Sequence, residues 1–188
     1  MIAIVDYGVG NLFSLVSSLK ALGLEAEVTG GAGRLRAADR IILPGVGAFG
    51  DARQKLDDTG LVPVLLEEAE KKPLLGICLG MQLLFDKSFE YGEHPGLGLV
   101  PGQVVDLRRD LTDPTLKVPH MGWNSLRILK DDPLFRYVRD GEYVYYVHSF
   151  YARDCAGSTL ATSRYGNVDV TGAVSYTHLR AHETVLDL

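Results

Sequence analysis

The chain is poor in cysteine and lacks any long apolar run. Its 188 residues include two cysteines, and no stretch reaches the roughly eighteen apolar residues that a membrane-spanning helix needs. Two distant cysteines exclude a disulfide framework and fit a reducing compartment, so we expect a cytoplasmic protein. The start of the chain, from Met1 to Val5, has neither a basic flank nor a cleavage site, and we therefore expect no signal peptide.

Positive charge is also scarce. The chain has 19 lysines and arginines against 24 aspartates and glutamates, which gives a formal net charge of −5. Nucleic-acid and membrane-surface proteins usually present a basic face, so this balance argues against both classes. The histidines and cysteines follow no zinc-ligand spacing, and we expect neither a metal nor a cofactor.

Short apolar runs alternate with helical patterns through the first half of the chain. Strands are predicted at 2–5, 25–29, 41–43 and 74–77. Helices are predicted at 11–22, 52–56 and 62–70, and a further helix from Met81 to Phe85. The loop from Gly30 to Gly33 is typical of a flexible connection. This alternation predicts an α/β fold with a mostly parallel central sheet and helices on both faces.

The sequence pattern changes from about Gly98 onward. Short strands separated by turns are predicted at 102–107, 118–125, 143–150 and 160–165. These strands predict antiparallel additions to the same α/β domain.

Glycines after the first strand form half of a dinucleotide-binding fingerprint. Gly8 and Gly10 have the right spacing, and Glu25 or Glu27 lies near the place of the acidic residue. The position of the third glycine holds Phe13, and a bulky ring there would obstruct close packing of strand and helix. The glycines therefore predict a tight turn rather than a nucleotide site.

The stretch Gly76-Ile77-Cys78-Leu79-Gly80 has the form of a nucleophile elbow with cysteine in place of serine. Glycines on both sides let the strand and the helix pass close together, and the tight turn strains the backbone at the nucleophile. A helix N-terminus stabilises a thiolate, and the N–H of Leu79 points to where an oxyanion would form. A lone cysteine is usually a small buried hydrophobe, but this context favours a nucleophile. Cys155 has no such context and is predicted to be inert.

A second glycine-rich loop, Pro44-Gly45-Val46-Gly47, follows the third predicted strand. Alone, this loop is typical of a simple strand–helix turn. Next to the elbow, its backbone N–H groups are predicted to complete an oxyanion hole.

Five separated motifs resemble those of the class I glutamine amidotransferases. They lie in order at 6–12, 44–47, 76–82, 119–124 and 146–151. Within that class, the set closely resembles the glutaminase subunits of imidazole glycerol phosphate synthase, and the resemblance covers residues 1–173. It implies a flavodoxin-like core and a heterodimer with a (β/α)₈-barrel cyclase. It also implies hydrolysis of glutamine to glutamate and to ammonia, which the cyclase uses in histidine biosynthesis.

The resemblance also implies a role for individual residues. Cys78 would attack the side-chain amide of glutamine and form a thioester that water hydrolyses. The oxyanion region would comprise Gly45, Val46, Gly47 and Leu79. The residues that hold the substrate glutamine would be Gln82, His148, Ser149 and Phe150. The cyclase would dock on Asn11, Trp123 and Asn124. Without the resemblance, other roles stay open for three of these residues. Gln82 could equally be a solvent-facing residue, and Trp123 could be a core residue or an exposed anchor for a partner. His148 would be a hydrogen-bonded strand histidine.

The chain departs from this family after Ala173. The late His-Pro-Glu motif, which supplies a general base and its orienting carboxylate in the family, does not occur. The residues from Val174 to Thr184 instead resemble the translation of a transposase adapter used in sequencing libraries. We therefore expect a C-terminally incomplete amidotransferase domain at 1–173 and a non-native tail at 174–188.

The tail imitates a catalytic or metal site. His178 and His182 lie four residues apart with Glu183 next, which suggests a zinc ligand set or part of a triad, but we expect neither role. The alternative is a divergent C-terminus in which His182 and Glu183 supply the base. Adjacent strand residues point to opposite faces, so these two would orient each other poorly.

Three functional hypotheses stay open. The first is an enzyme subunit whose base is absent from this chain, and the second is a naturally truncated docking subunit that does not hydrolyse glutamine. The third, another cysteine hydrolase with an elbow, is disfavoured by the motifs around His148 and Trp123.

Overall fold

Residues 2–76 build a four-stranded parallel sheet. The computed structural model describes residues 1–175. The sheet has the order β2-β1-β3-β4, and its strands are β1 (Ile2–Val5), β2 (Ala26–Thr29), β3 (Arg40–Leu43) and β4 (Leu74–Gly76). This is the strand order of the flavodoxin-like folds, so the predicted core is confirmed.

Helices cover both faces of this sheet, as predicted. They are α1 (Leu12–Ala21), α2 (Ala32–Ala37), α3 (Phe49–Asp58), α4 (Val62–Ala69) and α5 (Leu79–Gln82). Successive strand residues point to opposite faces. Ile4 therefore packs toward Leu19 of α1, whereas Val5 belongs to the larger cluster that includes Leu35 of α2 and Leu65 of α4.

The second half of the chain adds three smaller sheets. Their strands are β5 (Phe85–Ser88), β6 (His94–Pro95), β7 (Val100–Asp106), β8 (His120–Ser125), β9 (Arg127–Ile128), β10 (Tyr143–His148), β11 (Phe150–Arg153), β12 (Thr159–Tyr165) and β13 (Val168–Val174). The strand orders are β11-β7-β5-β6, β10-β8 and β13-β12-β9. The pairings are antiparallel, as predicted, except that β5 runs parallel to β7.

Two predicted elements are wrong in a way that shapes the site. The helix expected from Met81 to Phe85 ends at Gln82, because Phe85 begins β5 and pairs with Val100. The strand expected at 143–150 is divided at Ser149, whose carbonyl accepts from the Leu107 N–H at 2.9 Å. The two parts, β10 and β11, belong to different sheets.

Other differences are local. The loop predicted as flexible at 30–33 contains the start of α2, where the Arg34 N–H donates to the Gly31 carbonyl at 3.0 Å. Val174, the first residue of the predicted tail, ends β13 and pairs with Thr159. The predictions for His178, His182 and Glu183 lie outside the described residues.

Candidate active site

Cys78 lies at the turn between β4 and α5, where the sequence predicts an elbow. Its backbone angles are φ 56° and ψ −116°, a strained combination for a residue with a side chain. The thiol is exposed rather than packed in the core. Its position therefore matches the predicted nucleophile elbow and does not fit a buried, purely structural cysteine.

The glycines on either side of Cys78 are required by close backbone packing. A Cβ atom on Gly80 would lie 1.9 Å from the carbonyl oxygen of Leu43, and one on Gly76 would lie 2.6 Å from the Cα of Met81. Contacts this short exclude any side chain at both positions. The predicted reason for the two glycines is thus confirmed.

The glycine-rich loop after β3 packs directly on the elbow. A Cβ atom on Gly45 would lie 2.5 Å from the Gly80 nitrogen, and Gly47 adopts φ +94°, which favours glycine. Tyr7 holds the start of the loop, because its buried hydroxyl donates to the Pro44 carbonyl at 2.6 Å. Burial raises the pKa of Tyr7, so the phenol stays protonated and keeps this donor.

Sequence reasoning gave Tyr7 no role of its own, although the residue lies in the first family motif. The prediction that the Phe13 ring obstructs the packing of strand and helix is wrong. The Phe13 ring is 82% exposed, so it points away from the sheet and does not obstruct the packing of β1 and α1.

Backbone donors without acceptors lie at the elbow and on the loop. Within residues 1–175, no hydrogen bond is made by the N–H groups of Gly45, Val46, Gly47 or Leu79. Helix α5 has a single turn, Leu79–Gln82, in which the Gln82 N–H donates to the Cys78 carbonyl at 3.2 Å. A helix of one turn has only a small macrodipole.

Three of the four residues expected to bind substrate meet at one corner. The Phe150 carbonyl accepts from the Gln82 side-chain amide at 3.3 Å and contacts His148 Nδ1 at 2.9 Å. Ser149 lies between them on the chain and turns its carbonyl toward Leu107. Tyr91 places its ring edge-on to Phe150, with 6.1 Å between centroids.

A carboxylate that the sequence did not single out also touches the loop region. Glu90 Oε2 accepts from the Phe49 N–H at 2.6 Å, at the start of α3 and just after the loop. Glu90 is half-buried, and its own N–H donates to Ser88 Oγ at 3.2 Å. No spacing marked this residue, because a contact across 41 positions arises only from the tertiary fold.

The two-stranded sheet of β8 and β10 presents an apolar outer face. Trp123 is 66% exposed and stands edge-on to Tyr145, its partner across the strands, with 5.5 Å between centroids. Alternation along the strands brings three more exposed side chains to this face, namely Met121, Tyr143 and Val147. We call these five residues the aromatic face.

The other two residues expected at the partner interface lie elsewhere. Asn124 points away from the aromatic face: its Oδ1 contacts His120 Nε2 at 3.0 Å, and its Nδ2 donates to the Arg164 carbonyl at 2.8 Å. Asn11 is exposed and caps α1, where its Oδ1 accepts from the Ser14 N–H. Asn124 therefore does not share a face with Trp123, and its role at the interface stays a prediction.

The Cys78 thiol has no hydrogen-bonded side chain in the part of the chain that the structure describes. Within residues 1–175, no group of three or more histidine, cysteine, aspartate or glutamate side chains is placed to hold a metal ion. Cys155 is buried, with its sulfur 3.5 Å from the Thr159 hydroxyl. Over the same range, no helix is long and apolar enough to cross a membrane.

Comparisons with known proteins agree with this geometry. The family model described as glutamine amidotransferase class-I matches residues 3–177. The chain is 48% identical over 153 residues to imidazole glycerol phosphate synthase subunit HisH of Wolinella succinogenes, covering 81% of this chain and 75% of that one. It is 44% identical over 181 residues to the subunit of the same name from Sulfurimonas denitrificans, covering 95% of this chain and 86% of that one.

Solved structures show the same fold at low sequence identity. A crystal structure of a glutamine amidotransferase superposes with a TM-score of 0.65 at 18% identity, covering 91% of this chain and 88% of that one. The structure of PurLQS from Thermotoga maritima superposes with a TM-score of 0.62 at 21% identity, covering 92% of this chain and 76% of that one. The chain belongs to the class I glutamine amidotransferases and, within them, to the family of the imidazole glycerol phosphate synthase subunit HisH.

Proposed function

We propose that this chain is the glutaminase subunit of an imidazole glycerol phosphate synthase, with Cys78 as its nucleophile. The Cys78 sulfur attacks the side-chain carbonyl carbon of glutamine, and the carbonyl oxygen becomes an oxyanion. Collapse of that intermediate breaks the C–N bond, and the nitrogen leaves as ammonia once it is protonated. Water then hydrolyses the thioester to glutamate and frees the thiol. The observation that carries the proposal is the exposed Cys78 thiol at a positive-φ strand–helix turn.

The oxyanion is proposed to lie among the backbone donors of the elbow and the loop. The N–H groups of Gly45, Val46, Gly47 and Leu79 make no hydrogen bonds within residues 1–175, and Gly45 packs on the backbone of Gly80. One donor of this kind is worth about 10²- to 10³-fold in rate in other enzymes. The Tyr7 hydroxyl supports the proposal indirectly, because it holds the carbonyl of Pro44 at the start of the loop.

The glutamine is proposed to bind at the corner formed by Gln82, His148 and Phe150, with Ser149 next to it along the chain. Gln82 begins this corner from the elbow helix, one turn after Cys78, so a ligand held there lies beside the nucleophile. Amide and backbone groups match the polar ends of an amino-acid substrate, which needs hydrogen bonds rather than an apolar pocket.

The cyclase barrel is proposed to dock on the aromatic face. Five large side chains exposed together on one small sheet form a contiguous apolar patch, which usually marks a protein interface. Tryptophan and tyrosine are also the residues most often found as energetic anchors of interfaces. Docking there would let ammonia pass into the barrel for histidine biosynthesis in the cytoplasm.

The general base is proposed to be missing from this 188-residue chain. The His-Pro-Glu motif does not occur in the sequence, and no residue within 1–175 hydrogen-bonds the Cys78 thiol. We therefore propose that the chain is poor at turning over glutamine unless a family-type C-terminus supplies the base. A natural docking subunit, the alternative function, would also lack the general base. It differs from the enzyme because it would not need a reactive Cys78.

Trapping with a glutamine analogue tests the nucleophile independently of the base. The analogue carries a chloromethyl ketone in place of the amide, and chloride leaves without needing a proton. We expect a single covalent adduct on Cys78, slowed by excess glutamine, seen by mass spectrometry of the digested protein. Cys155→Ser should keep the adduct and Cys78→Ala should lose it. An adduct on Cys155, or labelling that glutamine does not slow, contradicts the proposal.

A further inference from the structure

His148, which belongs to the proposed glutamine corner, lies in contact with a second histidine, His120. His120 Nδ1 and His148 Nε2 are 2.9 Å apart, which is a hydrogen-bonding distance. His120 is 1% exposed and His148 is half-buried, so water does not readily take the place of this contact. The pair connects β8, which carries the aromatic face on its other side, to the Phe150 carbonyl.

The outer nitrogen of each ring faces an acceptor that has no proton to give. His148 Nδ1 lies 2.9 Å from the Phe150 carbonyl oxygen. His120 Nε2 lies 3.0 Å from Asn124 Oδ1, and the orientation of that amide follows from its nitrogen donating to the Arg164 carbonyl. Both outer nitrogens must therefore carry hydrogen for these contacts to be hydrogen bonds.

This arrangement leaves no proton for the central contact. A neutral imidazole has one N–H, and each ring has already placed it at the outer nitrogen. Two neutral rings would then face each other with bare lone pairs across 2.9 Å. A single additional proton, taken up from solvent, converts that contact into a hydrogen bond and gives the pair one positive charge.

The surroundings suit one charge and disfavour two. His120 stacks on Tyr146 and on Tyr165, with ring centroids at 5.0 and 3.9 Å, and aromatic faces attract a cation. Both phenols donate elsewhere, Tyr146 to Ser163 and Tyr165 to the Lys117 carbonyl. Burial lowers the pKa of His148 and opposes any charge on the ring, whereas the hydrogen bond to the Phe150 carbonyl raises that pKa and favours a proton there. The nearby His120 lowers the pKa of His148, which opposes a second charge on the pair.

Charged side chains near the pair are occupied with each other. Arg164, next to Tyr165 on β12, is exposed and bonds Asp169 at 3.1 Å. Within residues 1–175, neither histidine is ion-paired with a carboxylate. The proton count of the pair is therefore set by its own hydrogen bonds, its burial and the two tyrosine rings.

We propose that His120 and His148 share one extra proton and act as positioning residues, which hold the Phe150 carbonyl toward Gln82 where the proposed function places glutamine. The carbonyl accepts from both Gln82 and His148, so the direction of one bond constrains the other. Loss of the shared proton at higher pH forces the central contact apart. His148, the less buried ring, then turns and releases the Phe150 carbonyl.

Nitrogen NMR of the full chain, labelled at its histidine and glutamine side chains, counts the protons directly. His148→Asn and His94→Asn assign the ring signals, and His94 serves as the control ring outside the pair. Spectra are recorded from about pH 5 to about pH 9, which brackets histidine titration. We expect three of the four ring nitrogens of His120 and His148 to carry hydrogen at the acidic end, and one further step that moves both rings together.

The side-chain amide signal of Gln82 tests the positioning role. It should shift in the same step as the pair, whereas that of Gln54, which donates to Asp58 on α3, should not. The proposal is overturned if only two of the four ring nitrogens carry hydrogen over the whole pH range. It is also overturned if the Gln82 signal does not shift in the step that moves both rings. Neither NMR readout depends on Cys78 or on bound glutamine. If the trapping experiment failed while NMR still counted three protonated ring nitrogens, the proposed function would be overturned and the shared proton would stand.

Discussion

The carbonyl oxygen of Leu43 occupies the space where a side chain on Gly80 would begin. A Cβ atom there would lie 1.9 Å from this oxygen, well inside any real contact. The strand β3 and the elbow helix α5 are thus packed backbone against backbone. This packing brings the glycine-rich loop that follows Leu43 against the residues that follow Cys78.

Gly80→Ala should strain this packing more than an ordinary core substitution. We expect a loss of about 3 kcal/mol in the free energy of unfolding, at the upper end of the usual cost of overpacking. Gly33→Ala is the control, because nothing lies within 4 Å of its added Cβ and the site is helical. It should stabilise by about 0.5 kcal/mol. Urea unfolding measures both, and equal effects would contradict the packing argument.

Tyr7→Phe should loosen the loop after β3 by leaving the buried Pro44 carbonyl without its donor. We expect a cost of about 1 to 3 kcal/mol in unfolding free energy, and slower trapping of Cys78. Tyr165→Phe removes a similar bond, from an exposed hydroxyl to the Lys117 carbonyl, and should cost less because water replaces it. Thermal unfolding of the two variants gives the comparison. A Tyr7 variant as stable and as reactive as the parent would contradict the role given to Tyr7.

Trp123→Ala should weaken binding of the cyclase while leaving the fold intact. An interface anchor of this kind is worth about 2 kcal/mol or more, which is roughly a thirtyfold loss of affinity. Leu22→Ala is the matched control, since Leu22 is 70% exposed at the end of α1 and is not one of the five residues of the aromatic face. Calorimetric titration against the cyclase measures both. If the Trp123 variant bound the cyclase as tightly as the Leu22 variant, the proposal that the cyclase docks on the aromatic face would be contradicted.

Lys72→Met should destabilise the chain far more than Lys71→Met. The Lys72 Nζ donates to the carbonyls of Leu35, Arg36 and Ala38 at the end of α2 and pairs with the buried Glu68 at 2.6 Å. Removing one partner of a buried ion pair lowers the free energy of unfolding by about 3 kcal/mol. Lys71 is exposed, so its loss should stay within about 0.5 kcal/mol. Denaturant unfolding at neutral pH separates the two.

Stability should fall in acid partly through Glu68. The hydrogen bond from Lys72 lowers the pKa of Glu68 in the folded chain, so this carboxylate stabilises the fold fully above its unfolded pKa of about 4.3. That contribution is lost as pH falls from there through the lowered folded value. Glu68→Gln should therefore be less stable than the parent at neutral pH and should show a flatter decline in acid. Unfolding curves recorded between about pH 3 and pH 7 measure the slopes. Parallel slopes would contradict the assignment.

Local patterns predicted the elements that depend on local chemistry. Strand β1 was predicted with its observed bounds, because a buried parallel strand is a continuous apolar run. The elbow was predicted because Gly76 and Gly80 report a backbone packing that no other residue permits. The position of Cys78 followed from these glycines, whereas its catalytic role came from family resemblance and stays a prediction.

Elements that depend on partners far away in the sequence could not be predicted from local patterns. The apolar spacing after Met81 is helical, but the Leu84 carbonyl accepts from the Val100 N–H, and this tertiary pairing turns the segment into β5. The contact of Glu90 with Phe49 and that of His120 with His148 likewise join residues 41 and 28 positions apart. No local spacing encodes such contacts, so the partners of His120 could not be predicted even though its motif was recognised.

A glutaminase assay in the presence of the cyclase and its ligand tests the central claim, that Cys78 is the nucleophile and lacks its base here. The chain is compared with one that carries a family-type C-terminus, each with and without Cys78→Ala. Acid–base help is worth about 10²- to 10⁴-fold, so the restored chain should exceed this one by at least that range. We predict glutamate release from the restored chain alone, abolished by Cys78→Ala. Equal rates from the two chains, or activity that survives Cys78→Ala, would contradict the account.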